Sequence, residues 1–347
     1  MQIVGRQYTA ILNSAVLTNY WADKPIHRIL VYTEHGLTPE IVKEFFNTVE
    51  CEEVYDPFVG SGTVGVEALL RGRRFVGADS NPAAVVLTAA KISPEMGVRL
   101  RPLPQVAKYH GDLFDKLYHI SKRVSTAIEA GVFFNTARRF SLLEYSPAPK
   151  FKERVKTSGD PEAYFRQLYR RARSDIKLLR GARGDVIWAD STAWMPRRVC
   201  GVLTSPPFAN NVDYARHTMV ELLWLGIPLQ RARDLQLPAC EAAARVWKRG
   251  IGIDLPIAGK RARGYKRFLS QYIHYMTAHI ELLAERLEVE AWYTIGDSVL
   301  GGAYVPTQKI VAEIAERAGL KAYIKTIGMR PMKNNRTLYL LRFIQRR

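Results

Sequence analysis

The stretch of sequence that decides the fold is residues 53–63, which read EVYDPFVGSGT. Its apolar start predicts a short buried strand ending at Asp56, and the following residues 63–70 (TVGVEALL) have the spacing of a helix. The glycine-rich turn between them lets the backbone approach a ligand closely at the amino end of a helix. A strand, a glycine turn and a helix in this order predict the first unit of an α/β fold.

The rest of the chain repeats this pattern on both sides of an interruption. Residues 74–79 (RFVGAD) predict a second strand that ends in an acid, and Asn81 with Pro82 begins the next helix. Further strands are predicted at residues 185–190, 201–204 and 291–297, with a closing antiparallel hairpin of residues 323–327 and 337–344. We therefore predict an α/β fold with a mostly parallel seven-stranded sheet, helices on both faces and an antiparallel C-terminal hairpin.

Residues 94–183 interrupt the pattern with mixed periodicity, many prolines and clustered charge. From residue 150 to residue 183 there are eleven Lys or Arg against four Asp or Glu, with Tyr164, Phe165 and Tyr169 interleaved. We predict that residues 1–93 and 184–347 form one domain and that residues 94–183 are an inserted basic subdomain that recognises the target. The alternative is an accessory structural layer whose charges are merely solvated. A second basic stretch, residues 245–267, contains glycines and prolines and is predicted to be a loop or lid.

Composition restricts the class of partner. The 347-residue chain has 51 Lys or Arg against 33 Asp or Glu, a formal net charge of +18. Such an excess is costly in self-repulsion and favours a polyanion such as nucleic acid over a solvated basic surface, and it gives no reason to expect a membrane. The chain has three widely spaced cysteines, Cys51, Cys200 and Cys240, without histidines nearby in ligand spacing. We therefore expect neither a metal site nor a disulfide. This cysteine usage fits a cytoplasmic location.

A second motif, TSPPF at residues 204–208, follows a predicted strand. Together with DPFVGSGT at residues 56–63 it resembles the catalytic and cofactor motifs of the S-adenosylmethionine-dependent amino methyltransferases that modify exocyclic amino groups of nucleic-acid bases. The resemblance implies a Rossmann-like class I methyltransferase fold and S-adenosyl-L-methionine as the cofactor, with no metal. Many members of this family carry the catalytic motif first, whereas here the cofactor motif precedes it.

By this resemblance, Asp56 meets the cationic end of the cofactor, Asp79 accepts the ribose hydroxyls and Asp190 receives the adenine amino group. Asp79 can alternatively cap the next helix, and Asp190 can be an ordinary turn acid. Residues 60–65 also satisfy G-x-G-x-x-G, so a nicotinamide oxidoreductase has to be considered. The candidate cofactor-binding residues are Asp56, Phe58, Gly60, Ser61, Gly62, Thr63, Asp79 and Asp190.

The second motif suits transfer to an exocyclic amino group, whose lone pair is delocalised into the ring. Ser205 and the Pro206 carbonyl can accept the amino hydrogens and so direct that lone pair at the methyl group, while fixed proline dihedrals hold these acceptors in place. Phe208 would stack on a base extruded from the duplex. Transfer is then one displacement without a metal or a covalent intermediate. The candidate catalytic residues are Ser205, Pro206, Pro207 and Phe208.

The resemblance implies the substrate through Ser205, because family members with Ser at this position usually act on cytosine N4 and those with Asp or Asn on adenine N6. Asp213 and Tyr214 either line the base pocket or cap the next helix. Candidate phosphate contacts are Arg138, Arg139, Arg166, Arg170 and Arg171. We expect an N4-cytosine DNA methyltransferase, of a restriction-modification system or solitary. The alternatives are the same chemistry on ribosomal or transfer RNA, N6-adenine methylation and a non-catalytic nucleic-acid binding protein.

Overall fold

The computed structural model describes residues 25–28, 37–144, 149–152, 159–210, 212–245, 247–252, 256–330 and 336–346. The helices are α1 (Pro25–Arg28), α2 (Pro39–Thr48), α3 (Thr63–Leu70), α4 (Pro82–Ile92), α5 (Phe114–Ser121), α6 (Ala127–Arg139), α7 (Pro161–Asp175), α8 (Tyr214–His217), α9 (Met219–Trp224), α10 (Leu229–Leu235), α11 (Glu241–Ala244), α12 (Ala262–Arg286) and α13 (Thr307–Arg317). The strands are β1 (Glu53–Asp56), β2 (Arg74–Asp79), β3 (Leu143–Glu144), β4 (Lys150–Phe151), β5 (Asp185–Trp188), β6 (Val199–Thr204), β7 (Leu287–Gly296), β8 (Ser298–Leu300), β9 (Ala303–Val305), β10 (Leu320–Arg330) and β11 (Arg336–Gln345).

Seven strands form the main sheet, in the order β5, β2, β1, β6, β7, β11, β10. All neighbouring pairs from β5 to β7 are parallel, and β11 is antiparallel to both β7 and β10. The predicted sheet and its antiparallel C-terminal hairpin are confirmed. The sequence could not show that β11 lies between β7 and β10, because hairpin pairing alone leaves the position of the hairpin on the sheet open.

Helices cover both faces of this sheet, as alternation along β7 shows. Trp292 packs in the cluster that contains Phe45 of α2, whereas Tyr293 packs in the cluster that contains Tyr272 and Tyr275 of α12. Successive strand side chains point to opposite faces, so the two clusters lie on opposite sides of the sheet. The sheet is therefore the middle layer of a three-layer α/β structure.

The residues predicted to be inserted, 94–183, pack against α4 and α9. Leu87 and Ala90 of α4 share one buried cluster with Phe133 of α6 and with Val220 and Trp224 of α9. Thr126 caps α6 with a capping box, in which its hydroxyl accepts from the Glu129 amide and the Glu129 carboxylate accepts from the Thr126 amide. The basic segment thus continues the hydrophobic core on one flank of the sheet.

The expectation that the cysteines form no disulfide is wrong for one pair. Cys51 and Cys200 are joined by a disulfide across a sequence separation of 149 residues, with a Cα–Cα distance of 5.7 Å. Cys51 precedes β1 and Cys200 lies in β6, and these two strands are neighbours in the sheet. Sequence spacing gave no hint of the pair because the whole insertion lies between the two strands. Cys240 is free and buried.

No helix in the part of the chain that the structure describes is long and apolar enough to cross a membrane.

Candidate active site at the carboxyl edge of the sheet

The candidate site residues come together at the carboxyl ends of four adjacent strands. Asp190 follows β5, Asp79 ends β2, Asp56 ends β1 and Ser205 follows β6, in the order in which these strands lie in the sheet. After β1 the chain adds β2 and then β5 on one side of it, and it then crosses back to place β6 on the other side of β1. The direction in which strands are added therefore reverses between β1 and β6. Ligands of open α/β sheets bind in the crevice at such a point.

The turn between β1 and α3 has the backbone that its glycines predict. Gly60 and Gly62 have φ values of +49° and +78°, in the left-handed region that favours glycine. A Cβ at position 62 would also lie 3.0 Å from the Thr88 side chain of α4. The turn therefore needs glycine at position 62 both for its φ and for its close approach to α4.

Two side chains of α4 support this turn from behind. The Thr88 hydroxyl donates to the Gly60 carbonyl at 3.1 Å, and the Lys91 ammonium donates to the Ser61 carbonyl at 2.7 Å. Lys91 is 2% exposed, and burial lowers the pKa of its ammonium to about 7. With its carbonyls held toward α4, the turn can present its other side to a ligand.

Asp79 connects the turn to the start of α4. Its Oδ2 accepts a hydrogen bond from the Gly60 amide at 3.0 Å, and its Oδ1 accepts from the Asn81 amide at 2.8 Å. Burial raises the pKa of the Asp79 carboxyl to about 6, against the effect of these two amides. Asn81, not Asp79, caps α4, because its side chain accepts from the Ala83 amide. A carboxylate has about four acceptor sites, so two of those of Asp79 remain for ligand hydroxyls.

Asp56 is 3% exposed and connects the two motifs. Its Oδ1 accepts from the Phe58 amide at 3.0 Å and from the Thr204 hydroxyl at 2.6 Å. Burial raises the pKa of this carboxyl to about 7, the two hydrogen bonds oppose the rise, and the negative charge of Asp79 adds to it. Within the described part of the chain, these contacts leave Oδ2 for a cationic ligand group.

Asp190 is held by its own turn and by α12. Its Oδ1 accepts from the Thr192 amide, from the Thr192 hydroxyl and from the Tyr275 hydroxyl, each at 2.9 Å. Because Tyr275 donates to Asp190, its oxygen accepts from the Ser191 hydroxyl, at 3.1 Å. Asp190 therefore stabilises its own turn, and its carboxylate is also oriented by Tyr275 of α12, 85 residues away in the sequence.

His279, one helical turn after Tyr275, fixes the same turn to the sheet. Its Nδ1 donates to the Ser191 carbonyl at 3.1 Å, and its Nε2 accepts from the Tyr293 hydroxyl of β7 at 2.7 Å. Burial lowers the pKa of the His279 imidazole to about 4, so the ring is neutral near pH 7. The His279 ring also packs edge-on against Phe58, with ring centroids 5.1 Å apart. The side chain thus joins β7 and α12 to the turns that carry Asp56 and Asp190.

The TSPPF segment continues directly from β6 into the crevice. Ser205 and Pro207 are half-buried, while Pro206 is buried and Phe208 is 7% exposed. The Ser205 hydroxyl makes no hydrogen bond to another described residue, which leaves it available to a substrate. Phe208 is part of the wall of the site rather than an exposed platform, and the next turn closes with the Asn210 amide donating to the Phe208 carbonyl at 2.7 Å.

Asp213 has structural partners in this structure. It caps α8 by accepting from the Arg216 amide at 3.1 Å, and its Oδ2 pairs with the guanidinium of Arg233 in α10. These contacts favour the capping alternative over a base contact. Tyr214 begins α8, is half-buried and packs against the cluster of α12.

The candidate phosphate contacts divide into one bridging arginine and four exposed ones. Arg138 pairs with Glu221 at 2.9 Å and donates to the His217 carbonyl at 2.7 Å, so it joins α6 to the segment after the TSPPF motif. This geometry favours a structural role. The other four are exposed, and their contacts are local. Arg139 stacks on Tyr164, Arg166 pairs with Glu162, Arg170 donates to the Arg166 carbonyl and Arg171 is exposed on α7.

The sequence alone predicted no role for Thr204, Lys91, Tyr275 or His279. The first is part of the quoted motif, but its contact with Asp56 spans 148 residues. Lys91, Tyr275 and His279 could have been noticed in the sequence, because each is a polar side chain on the buried face of a helix. Such groups are retained when they have a partner to satisfy them.

The site fits the expected cofactor in the chemistry of its groups. Three carboxylates at successive strand ends can meet an amino group, two hydroxyls and an ammonium, and the glycine turn gives close backbone approach between them. The residues that would hold the group are Asp190, Asp79 and Asp56, with Gly60 and Gly62. Among the described residues no group of three or more His, Cys, Asp or Glu could hold a metal ion.

Two sequence comparisons agree with this chemistry. Residues 35–179 match the family model of the D12 class N6 adenine-specific DNA methyltransferases. Type II methyltransferase M.MvaI of Kocuria varians is 37% identical over 93 residues, a match that covers 25% of this chain and 19% of that protein. The family match includes Asp56, the glycine turn and Asp79 and ends before Asp190 and Ser205. Both matches support a methyltransferase with S-adenosylmethionine as its cofactor.

Solved structures are similar over most of their length. A SAM-dependent methyltransferase from Methanosarcina mazei has 8% identity and a TM-score of 0.36, over 90% of this chain and 99% of that chain. The rRNA methyltransferase aviRa from Streptomyces viridochromogenes has 14% identity and a TM-score of 0.31, over 89% and 86%. At these scores neither likeness bears on function. The Rossmann-like fold expected of a class I methyltransferase rests on the strand order of this chain itself.

Proposed function

We propose that this protein transfers a methyl group from S-adenosylmethionine to the exocyclic N4 amino group of cytosine in DNA, by direct displacement on an extruded base. The observation that carries the proposal is the order of four groups along the carboxyl edge of the sheet, where Asp190, Asp79 and Asp56 lead to Ser205. Neighbouring strands lie about 4.8 Å apart, so the three acids span roughly 10 Å. That order suits an elongated cofactor whose adenine, ribose and methionine parts meet the acids in turn.

Each acid has a separate task in this proposal. Asp190 accepts the adenine amino group, Asp79 accepts the ribose hydroxyls and Asp56 holds the ammonium of the methionine part. When bound, S-adenosylmethionine supplies a methyl group on a positively charged sulfur. Asp56 is 3% exposed, so little water screens its attraction for this ammonium.

The segment after β6 positions the target amino group. The Ser205 hydroxyl and the Pro206 carbonyl accept its hydrogens, and the nitrogen lone pair is then directed at the methyl carbon. Thr204 connects this segment to Asp56 through a 2.6 Å hydrogen bond, which ties the acceptors to the cofactor turn. Phe208 forms the wall against which the base stacks.

Cytosine is favoured over adenine by Ser205. Ser at this position is usual in the N4-cytosine members of the resembling family, and Asp or Asn in the N6-adenine members. N6-adenine methylation is the second candidate, because the matching family model is described as N6 adenine-specific. That match covers residues 35–179 and leaves out residues 204–208, which contact the target base in this proposal.

The two sequence matches favour DNA over RNA. One is to a family of DNA methyltransferases, and the other is to a type II methyltransferase. The inserted residues 94–183 contribute the contacts to the polymer in this proposal, through exposed cations. These are Arg139, Arg166, Arg170 and Arg171. RNA is the alternative polymer, since a net charge of +18 suits either one.

The proposal is tested by incubating the protein with labelled S-adenosylmethionine and separate pools of DNA and ribosomal RNA, followed by mass spectrometry of the nucleosides. We expect N4-methylcytosine in the DNA pool. Methylated adenine as the product would contradict the cytosine assignment, and label in RNA alone would contradict DNA as the substrate.

The variant Ser205→Ala tests the proposed acceptor. We expect a rate loss on the order of 100-fold, as when one preorganised hydrogen-bonding group is removed from an active site, with cofactor affinity unchanged. Ser174→Ala on the exposed side of α7 is the matched control and should keep the wild-type rate. Equal rates for the two variants would remove Ser205 from the proposed mechanism.

A further inference from the structure

A cavity of about 420 Å³ lies beside Asp190, outside the groups assigned above. It is lined by Thr192, whose amide and hydroxyl hold Asp190, and by Tyr275, which donates to the same carboxylate. The remaining wall comes from the loop before α12, from α12 itself and from α10. Its residues are Trp247, Lys248, Arg249, His274, Ala278 and Asp234. The cavity therefore opens at the same edge of the sheet as the candidate active site.

The position of the loop follows from α12. Tyr275 contacts Asp190 just beyond the carboxyl end of β5, and α12 ends at Arg286, next to the start of β7. Residues before Tyr275 therefore extend outward from the carboxyl edge. Thirteen helical residues, at about 1.5 Å each, separate the start of α12 from Tyr275 and project roughly 20 Å. The basic loop that precedes this helix consequently lies on the side where a polynucleotide must approach.

Several contacts fix the loop on α12. The Gln271 amide nitrogen donates to the Trp247 carbonyl, Arg267 donates to the Arg245 carbonyl at 3.0 Å, and the Ile251 amide donates to the Ser270 carbonyl at 3.3 Å. The Trp247 ring packs edge-on against Tyr275, with centroids 5.5 Å apart. These contacts hold the cavity wall against α12.

The lining has the chemistry of an anion site. Lys248 and Arg249 are exposed, His274 adds a ring nitrogen, and among the described lining residues Asp234 is the only carboxylate. The hydroxyl and the amide of Thr192 both donate to Asp190 and so are not donors to this cavity. The indole nitrogen of Trp247 is buried and has no hydrogen-bond partner among the described residues. Guanidinium and ammonium groups are the usual contacts of phosphate oxygens. The cofactor assigned above carries no phosphate, so the anion has to come from the substrate.

We propose that this cavity, through Lys248, Arg249 and His274, binds a backbone phosphate of the nucleic-acid substrate. The inference rests on the proposed function, because it takes the substrate to be a polynucleotide. It assigns a second contact surface, separate from the inserted residues 94–183 and next to the adenine end of the cofactor site. Trp247 and Tyr275 link this surface to Asp190 by direct contact.

The test measures binding of a short fluorescent duplex by anisotropy between 50 and 200 mM salt, with Lys248→Gln/Arg249→Gln as the pocket variant. Each phosphate contact adds about 0.9 to the slope of log affinity against log salt, so we expect the slope to fall by about 2. The matched control is Arg197→Gln/Arg198→Gln, an exposed basic pair directly before β6 at the opposite edge of the sheet. It should keep the wild-type slope.

The outcomes separate the two proposals. A pocket variant with the slope of the wild type, or a control with an equal fall, overturns the phosphate site while the wild-type protein still binds DNA. A wild-type protein that binds neither the duplex nor a matching RNA overturns the proposed function itself. S-adenosylhomocysteine affinity should be the same in all three proteins, and a loss confined to the pocket variant would show that these side chains support the cofactor site instead.

Discussion

The Thr204 hydroxyl donates a 2.6 Å hydrogen bond to Oδ1 of Asp56, joining the carboxyl ends of β6 and β1. Thr204 directly precedes Ser205, and Asp56 begins the turn that contains Gly60 and Gly62. The bond therefore holds the proposed methyl acceptor and the proposed cofactor turn in one geometry. Both groups are buried, where a hydrogen bond is strengthened by the low local dielectric.

Thr204→Val should weaken cofactor binding and lower stability. It removes the hydroxyl while keeping the shape, so the Asp56 carboxylate loses a hydrogen-bond donor, at a cost of about 1–3 kcal/mol. The pKa of Asp56 should rise further, because this hydrogen bond lowers it. The measurements are urea unfolding and titration with S-adenosylhomocysteine. The control Thr204→Ser keeps the hydroxyl and should behave like the wild type. If Thr204→Val were as stable as the wild type, the prediction would be wrong.

Stability of the cofactor-free protein should depend on pH through Asp56 and Asp79. Their folded pKa values, about 7 and about 6, lie above the ordinary value of 3.8. The folded state therefore binds more protons than the unfolded state, and the stability contributed by these groups is full below pH 4 and is lost as pH rises toward 7. The urea midpoint of Asp79→Asn should therefore shift upward relative to that of the wild type as pH rises from about 4 to 6. It starts from a lower value, because an asparagine has one acceptor oxygen for the two amides of Gly60 and Asn81.

The same variant should bind S-adenosylhomocysteine less well, because the carboxylate that accepts the ribose hydroxyls is gone. Glu52→Gln changes an exposed carboxylate and serves as the control for the loss of one charge. A constant difference in unfolding free energy between Asp79→Asn and the wild type over this pH range would show that burial does not raise the pKa of Asp79.

Tyr275→Phe should reduce cofactor affinity more than it reduces the rate at saturating cofactor. The substitution removes one hydrogen bond to Asp190, worth about 1 kcal/mol, and about fivefold in affinity. Asp190 keeps its contacts with Thr192, so the turn itself should persist. Isothermal titration and steady-state kinetics separate the two effects. Tyr304→Phe, an exposed tyrosine of β9, is the control, and an unchanged affinity in Tyr275→Phe would remove Tyr275 as a positioning residue.

Reduction of the disulfide between Cys51 and Cys200 should lower the melting temperature. The bond closes a loop of about 150 residues, and the chain-entropy model assigns such a loop roughly 5 kcal/mol, an amount that measured values often do not reach. Melting is compared with and without a reductant. The variant Cys51→Ala/Cys200→Ala should melt at a lower temperature that the reductant does not change. An oxidised and a reduced wild type with equal melting temperatures would contradict this expectation.

Much of the site was predictable because its residues lie at the ends of strands with a clear apolar pattern. Asp56, Asp79 and Ser205 each follow such a strand, and parallel strands bring their carboxyl ends to one edge. The partners of Asp190 were not predictable, since Tyr275 is 85 residues away and contributes a hydroxyl from the buried face of a helix. Nothing in the local sequence distinguishes that tyrosine from Tyr272, which is also buried on α12.

The amino-acid sequence by itself determined the strands, the glycine turn and the chemistry at the end of each strand, because these depend on local backbone preference and on apolar periodicity. Only the tertiary structure decided which distant groups meet. It paired Cys51 with Cys200 and Thr204 with Asp56, and it bound Arg138 to Glu221 instead of leaving it for a phosphate. The first two contacts arise because β1 and β6 are neighbours in the sheet, and the third arises because the segment between β2 and β5 packs against α9. Burial of polar groups is favourable only where a partner satisfies them.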